Sequence, residues 1–166
     1  MAKRNISSFI RSLLLIVLTV LLGLLIRTYI CEFRFVSGIS MEPALHSGEM
    51  LCIDKTVDEY KRMDIVVIRY RDTTITKRIV GCPGDVPQIK KGTIYINNVP
   101  LSDPLYTNVE FAGIASSPIT LEANEYFVLG DNVSQSYDSR YSDVGVVNQQ
   151  DIIGKVAFAI FPFEKS

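Results

Sequence analysis

Thr74-Ile75-Thr76-Lys77-Arg78-Ile79 is the stretch on which the reading of the fold turns. Alternation at period two puts Ile75, Lys77 and Ile79 on one face of a strand, and Thr74, Thr76 and Arg78 on the other. Runs of the same character flank it. Residues 49–54 and 64–70 are short, apolar or β-branched, and bounded by charges or turn formers, which suits strands. Residues 91–101 read as a hairpin turning on Asn97-Asn98, two residues that tolerate positive φ. Residues 125–129 and 154–160 read as further strands. Between them, residues 102–120 are rich in Ser, Thr, Asp, Asn and Pro and read as a peripheral loop. Internal repeats, a Gly-rich phosphate loop and an alternating strand–helix series are all missing. The expected fold class is therefore mainly β, an antiparallel, barrel-like sheet domain.

One segment does not belong to that domain. Ser12 to Ile26 reads SLLLIVLTVLLGLLI, without a charge. Extended through Ile30 and interrupted only by Arg27, it would span about 28 Å as a helix, close to a bilayer core. A cleavable signal peptide is the rival reading, but bulky residues (Arg-Thr-Tyr-Ile-Cys-Glu-Phe) follow where small ones are needed. A lipoprotein signal fails as well, because Ile30 precedes Cys31. Lys3, Arg4 and Arg11 lie before the apolar run, so the N-terminus is expected to be cytoplasmic. The expected organisation is a cytoplasmic N-terminus over 1–11, a transmembrane anchor over 12–30 and an extracytoplasmic β-rich domain over 31–166.

Composition closes off other classes. Of 166 residues 48% are apolar and the net charge is −1. The first thirty residues hold four basic side chains and no acid, so the rest is acidic on balance. That argues against nucleic acid as a partner. Cys31, Cys52 and Cys82 have no zinc-like spacing, and His46 is the single histidine. No metal and no organic cofactor is expected. The odd cysteine count favours isolated thiols, with a Cys52–Cys82 bridge as the pairing left open.

Chemistry is carried by three segments. A lysine between two isoleucines on one strand face has its charged form disfavoured, so Lys77 can offer a neutral amine as general base; an edge lysine leaning into water is the bland alternative. Ser40, in Ser37-Gly38-Ile39-Ser40-Met41-Glu42-Pro43-Ala44-Leu45, needs such a base to act as a nucleophile, and otherwise reads as a helix N-cap. His46 is a rival base for Ser40, though its turn-like neighbours favour a surface histidine. Asp131, Asp138 and Arg140 crowd with Ser134, Ser136 and Ser139 in the third segment, a pattern of local ion pairs and Asx turns.

Taken in order, Ser40-Met41-Glu42-Pro43, Lys77-Arg78-Ile79-Val80-Gly81 with Pro83-Gly84-Asp85, and Gly130-Asp131-Asn132 through Ser136, Asp138, Ser139 and Arg140 resemble the bacterial type I signal peptidases. The resemblance spans nearly the whole chain. It implies Ser40 as nucleophile, Lys77 as general base and Ser136 as the serine that orients the lysine. Arg78, Asp131, Asp138 and Arg140 would brace the site. The Ser40 backbone N–H would serve the oxyanion hole, beside Gly38 where some members carry a serine. Ala44 stands where threonine is frequent. Val36, Met41, Ile75 and Thr76 would line the groove for signal peptides of exported preproteins, cut after small-x-small motifs by a monomer in the bacterial cell membrane. Two alternatives stay open: a self-cleaving Ser–Lys repressor, which would bring a DNA-binding domain, and a non-enzymatic pilus-assembly accessory of the same fold.

Overall fold

A computed structural model describes residues 2–160, with side chains from residue 9 onward. Residues 161–166 of the expected β domain, and the side chains of Lys3 and Arg4, lie outside the described residues. Helix α1 (Ala2–Tyr29) starts earlier than the apolar run, so residues expected as a separate N-terminal tail are already helical. Its stretch Phe9–Tyr29 is long and apolar enough to cross a membrane. Its leucines and isoleucines are exposed, as a lipid-facing helix requires. Thr19 and Thr28 hide their hydroxyls by donating to the carbonyls of Leu15 and Leu24.

Ten strands follow. They are β1 (Cys31–Phe35), β2 (Met50–Asp54), β3 (Ile65–Tyr70), β4 (Thr73–Gly81), β5 (Pro87–Lys90), β6 (Thr93–Ile96), β7 (Val99–Pro100), β8 (Glu125–Leu129), β9 (Val147–Asn148) and β10 (Ile152–Ile160). Seven make one antiparallel sheet in the order β1-β2-β10-β3-β4-β8-β9, an open ladder with β1 and β9 at its edges. β5, β6 and β7 form a smaller sheet. Asn97 and Asn98 take φ of 54° and 64° in the β6–β7 turn, the conformation a two-residue hairpin demands.

β10 lies between β2 and β3 and pairs with both, shifting register at two irregular steps. Gly154 sits at one of them, where a Cβ would collide with the Asp54 carbonyl. The core has three clusters. One gathers Val36, Met41, Leu45, Leu51, Ile53 and Val67. A second packs Val66, Ile68, Ile79 and Val128 with the edge-to-face pair Tyr60 and Tyr126. The third holds Val80, Phe127 and Leu129 against the small sheet.

Residues 102–120 form an irregular loop anchored in the core at three points. Tyr106, Val109 and Ala115 are buried in that third cluster. Two single-turn helices, Pro104–Tyr106 and Gly113–Ser116, turn them inward, and Asp103 caps the first by accepting from the Leu105 N–H. The apolar residues follow neither strand nor helix period, which is why a polar composition concealed them. Tyr106→Ala should therefore cost about 3–5 kcal/mol in urea unfolding of the detergent-solubilised chain, whereas a surface loop residue would change stability by about 0.5 kcal/mol or less.

Candidate active site

β4 presents Lys77 and Arg78 to opposite sides. Lys77 pairs across the ladder with Val66 and shares its face with Ile75 and Ile79, both of which contribute to the second cluster. It is 3% exposed. Burial pushes its ammonium down from the ordinary 10.5 to about 8. Asp138 pulls the other way, Arg140 adds to the depression, and Asp131 opposes it. Lys77 Nζ reaches Ser40 Oγ at 2.7 Å.

Ser40 sits in a series of turns after β1, not at the start of a helix, so it caps nothing. Gly38 holds φ at +86°, a conformation that favours glycine, and a Cβ there would point into open space. Among the described residues the Ser40 N–H joins no backbone hydrogen bond, while its carbonyl accepts from the Asn132 N–H at 3.1 Å. The Glu42–Pro43 peptide is cis. Met41 was expected along the groove but is 1% exposed and belongs to the core, because the turn closed by Leu45 N–H to Met41 C=O draws it inward. Val36 is buried beside it, while Ile75 and Thr76 are half-buried.

The third segment wraps behind the pair. Asp138 and Arg140 are buried together, with Arg140 Nε donating to Asp138 Oδ1 at 2.8 Å. Asp138 Oδ2 also accepts from the Gly130 N–H, and Arg140 reaches the carbonyls of Val133 and Ser136. On the other side Arg78 Nε donates to Asp131 Oδ1 at 2.8 Å and Nη1 to the Met63 carbonyl. Tyr106 donates to Asp131 as well; burial, then Asp131, pushes its hydroxyl far up, so it stays a donor. Ser139 fixes β8 by accepting from the Val128 N–H.

Ser136 does not bond to Lys77. Its hydroxyl is buried without a partner and rests against Gly130, where a Cβ would collide with Ser136 Oγ and the Ser40 carbonyl. Gly130 is thus a site residue that motif reading quoted but gave no role. Glu49 was read only as the start of a strand, yet it is 1% exposed and its Oε1 meets His46 Nδ1 at 3.0 Å. His46 is engaged there and is no partner of Ser40.

β8 pairs with β4 only from Arg78 onward, so that edge of β4 is unpaired over Thr73–Lys77. Opposite runs the segment from β1 to Ser40, linked to it by Arg34 Nη1 donating to Thr74 Oγ1 at 3.1 Å. The pair therefore lies beside an open strand edge, a geometry that admits an extended peptide.

Comparisons with known proteins bear on the family. A family model described as "Signal peptidase, peptidase S26" matches residues 9–161. The signal peptidase I T of Bacillus subtilis (strain 168) is 37% identical over 177 residues, 99% of this chain and 91% of that protein. A signal peptidase I of Bacillus licheniformis is 37% identical over 163 residues, 90% and 87% of the two chains. The crystal structure of a signal peptidase I from Enterococcus faecalis V583 superposes with a TM-score of 0.51 at 29% identity, covering 61% of this chain and 99% of that one.

In a chain labelled with 15N at lysine, the Lys77 amine should titrate near 8, well below the ordinary 10.5. A value above 10 would refute its burial. Below its folded pKa the buried ammonium weakens the fold, and stability rises as pH climbs from about 8 towards 10.5. Lys77→Met should therefore gain about 3 kcal/mol in urea unfolding at pH 7, a gain that shrinks across that window.

Proposed function

The chain belongs to the S26 signal peptidases, and from that premise we propose that Ser40 and Lys77 are the nucleophile and general base of a membrane-anchored serine endopeptidase that removes signal peptides. The observation that carries the proposal is the 2.7 Å approach of Lys77 Nζ to Ser40 Oγ, with the amine buried and its pKa near 8. About one lysine in ten is then neutral at pH 7, by simple titration from that value. The Ser40 hydroxyl gives its proton to the neutral amine as Oγ attacks the carbonyl carbon of the scissile bond. The Ser40 N–H, free of backbone partners, donates to the developing oxyanion, and Gly38 leaves room beside it. Protonated Lys77 passes its proton to the departing amine. The resulting acyl-enzyme is opened by a water that Lys77 deprotonates.

The signal segment docks as an added strand between residues 36–40 and the open edge of Thr73–Lys77. Val36, Ile75 and Thr76 border shallow pockets there, suited to the small side chains that precede the cut; Met41 lies beneath as floor. Arg78, Asp131, Asp138 and Arg140 hold the backbone around the pair. Ser136, its hydroxyl buried without a partner against Gly130, is the serine that would orient Lys77 once substrate is bound. α1 spans the membrane as a single anchor with the N-terminus cytoplasmic, supported by Lys3, Arg4 and Arg11 ahead of the apolar run. The β domain then works outside as a monomer. The intact Ser–Lys pair speaks against a non-enzymatic accessory role.

Ser40→Ala and Lys77→Ala should each lower preprotein cleavage in detergent or liposomes by about a thousandfold or more. Near-full activity of Lys77→Ala would sink the dyad. kcat/KM should rise about tenfold per pH unit below 8 and level off above it, since the base must be neutral. Gly130→Ala should lose roughly a hundredfold by pushing the Ser40 carbonyl aside. Extraction of the intact chain by high salt alone would overturn the anchor.

A further inference from the structure

We propose that Cys31 and Cys52 form an intramolecular disulfide that closes the segment carrying Ser40. The sulfur beside Cys52 is that of Cys31, not of Cys82. In the β1–β2 ladder Phe33 stands opposite Cys52 and Cys31 opposite Asp54. Cys31 and Cys52 are therefore diagonal neighbours on one face of the ladder. Their sulfurs are 2.8 Å apart. Non-bonded heavy atoms settle at about 3.5 Å or more, and a disulfide needs about 2.05 Å, so closing the bond takes a small movement. Cys82 packs elsewhere, against the cluster around Ile79, and its backbone N–H donates to Asp85.

The position gives the bond a purpose. β1 is an edge strand held in the sheet by β2 alone, and it is the strand that α1 enters. Besides the ladder, the junction is tied by the Lys55 N–H donating to the Ile30 carbonyl and by Lys55 with Glu32 at 3.4 Å. Residues 31 and 52 also bracket the turns that carry Ser40, so a bridge would tie both ends of the nucleophile segment to one another. Two thiols and a disulfide-bearing oxidant become one protein disulfide and two reduced thiols. The half-buried Cys31 attacks the oxidant first and releases one thiol. Cys52 is buried, and burial followed by its Cys31 neighbour pushes its thiol up to about 11. It loses its proton as it attacks Cys31 Sγ, which expels the second thiol. The proposal rests on the reading that this domain lies outside the membrane, where disulfides persist.

Membranes quenched with an alkylating agent, then denatured without reductant, should yield chain bearing one adduct, on Cys82, and a peptide map linking Cys31 to Cys52. Three adducts on a chain whose β domain is cut by protease added outside intact spheroplasts would overturn the bridge and leave the topology standing. If external protease spares the domain, the topology falls first, and the bridge is judged on purified protein. There, the full-length chain in detergent equilibrated with oxidised glutathione should melt on the order of 5 °C higher than after reduction. Cys31→Ser should abolish that difference and Cys82→Ser should keep it. Equal melting of oxidised and reduced wild type, or a dimer on non-reducing gels that Cys31→Ser removes, would refute the proposal.

Discussion

Keeping a lysine amine out of water is the constraint around which this molecule is arranged. Burial alone would depress Lys77, but a chain with carboxylates nearby could undo the effect by drawing the proton back. Asp138 and Asp131 are close enough to do so, and each is answered. Arg140 lies on Asp138 and Arg78 on Asp131, so neither carboxylate presents its full charge to the amine. The ion pairs are therefore electrostatic screens as well as struts. A buried pair adds little net stability against an apolar substitute, and breaking it leaves a bare charge. Their presence is better explained by what they do for the lysine than by what they do for the fold.

The same groups also set distance. The proposed dyad needs Ser40 and Lys77 held to within a fraction of an ångström, and they come from segments far apart in the chain. Backbone groups as well as side chains make the link between them. Asn132 donates to the Ser40 carbonyl, Gly130 donates to Asp138, and Gly130 has no Cβ, so the Ser40 carbonyl and Ser136 can both close against it. Asp138 thereby orders the turn after β8 while Arg140 orders Asp138. The scaffold is a chain of contacts with few free rotations.

β3 and β8 were legible as short apolar or β-branched runs between charges and turn formers, β4 by its alternation, and all three lie where those patterns put them. Lys77 was legible for the converse reason, as the residue that breaks its own face. Tyr106, Val109 and Ala115 were not, since irregular turns impose no period on the side chains they bury. Met41 was misplaced because a position beside a nucleophile says nothing about which way the turn carries its side chain. The Cys31–Cys52 contact depends on the register of β1 against β2, which pairing decides and spacing does not reveal. Ser136 lies in the segment that motif order pointed to, yet its hydroxyl direction is a local matter of packing against Gly130.

The position of β10 has a consequence in time as well as in space. β1 and β2 flank the Ser40 segment, β3 and β4 deliver Lys77, and β10 is hydrogen-bonded to one strand of each group. It is also the last described strand to be synthesised. Until it inserts, the β1-β2 ladder beside Ser40 and the β3-β4 ladder that carries Lys77 are not joined in one sheet, and long-range pairing of this kind is slow to form. A nascent chain that lacks β10 thus carries Ser40 and Lys77 in segments not yet joined through it. On the proposed reading of Ser40 and Lys77, the site is assembled together with the sheet.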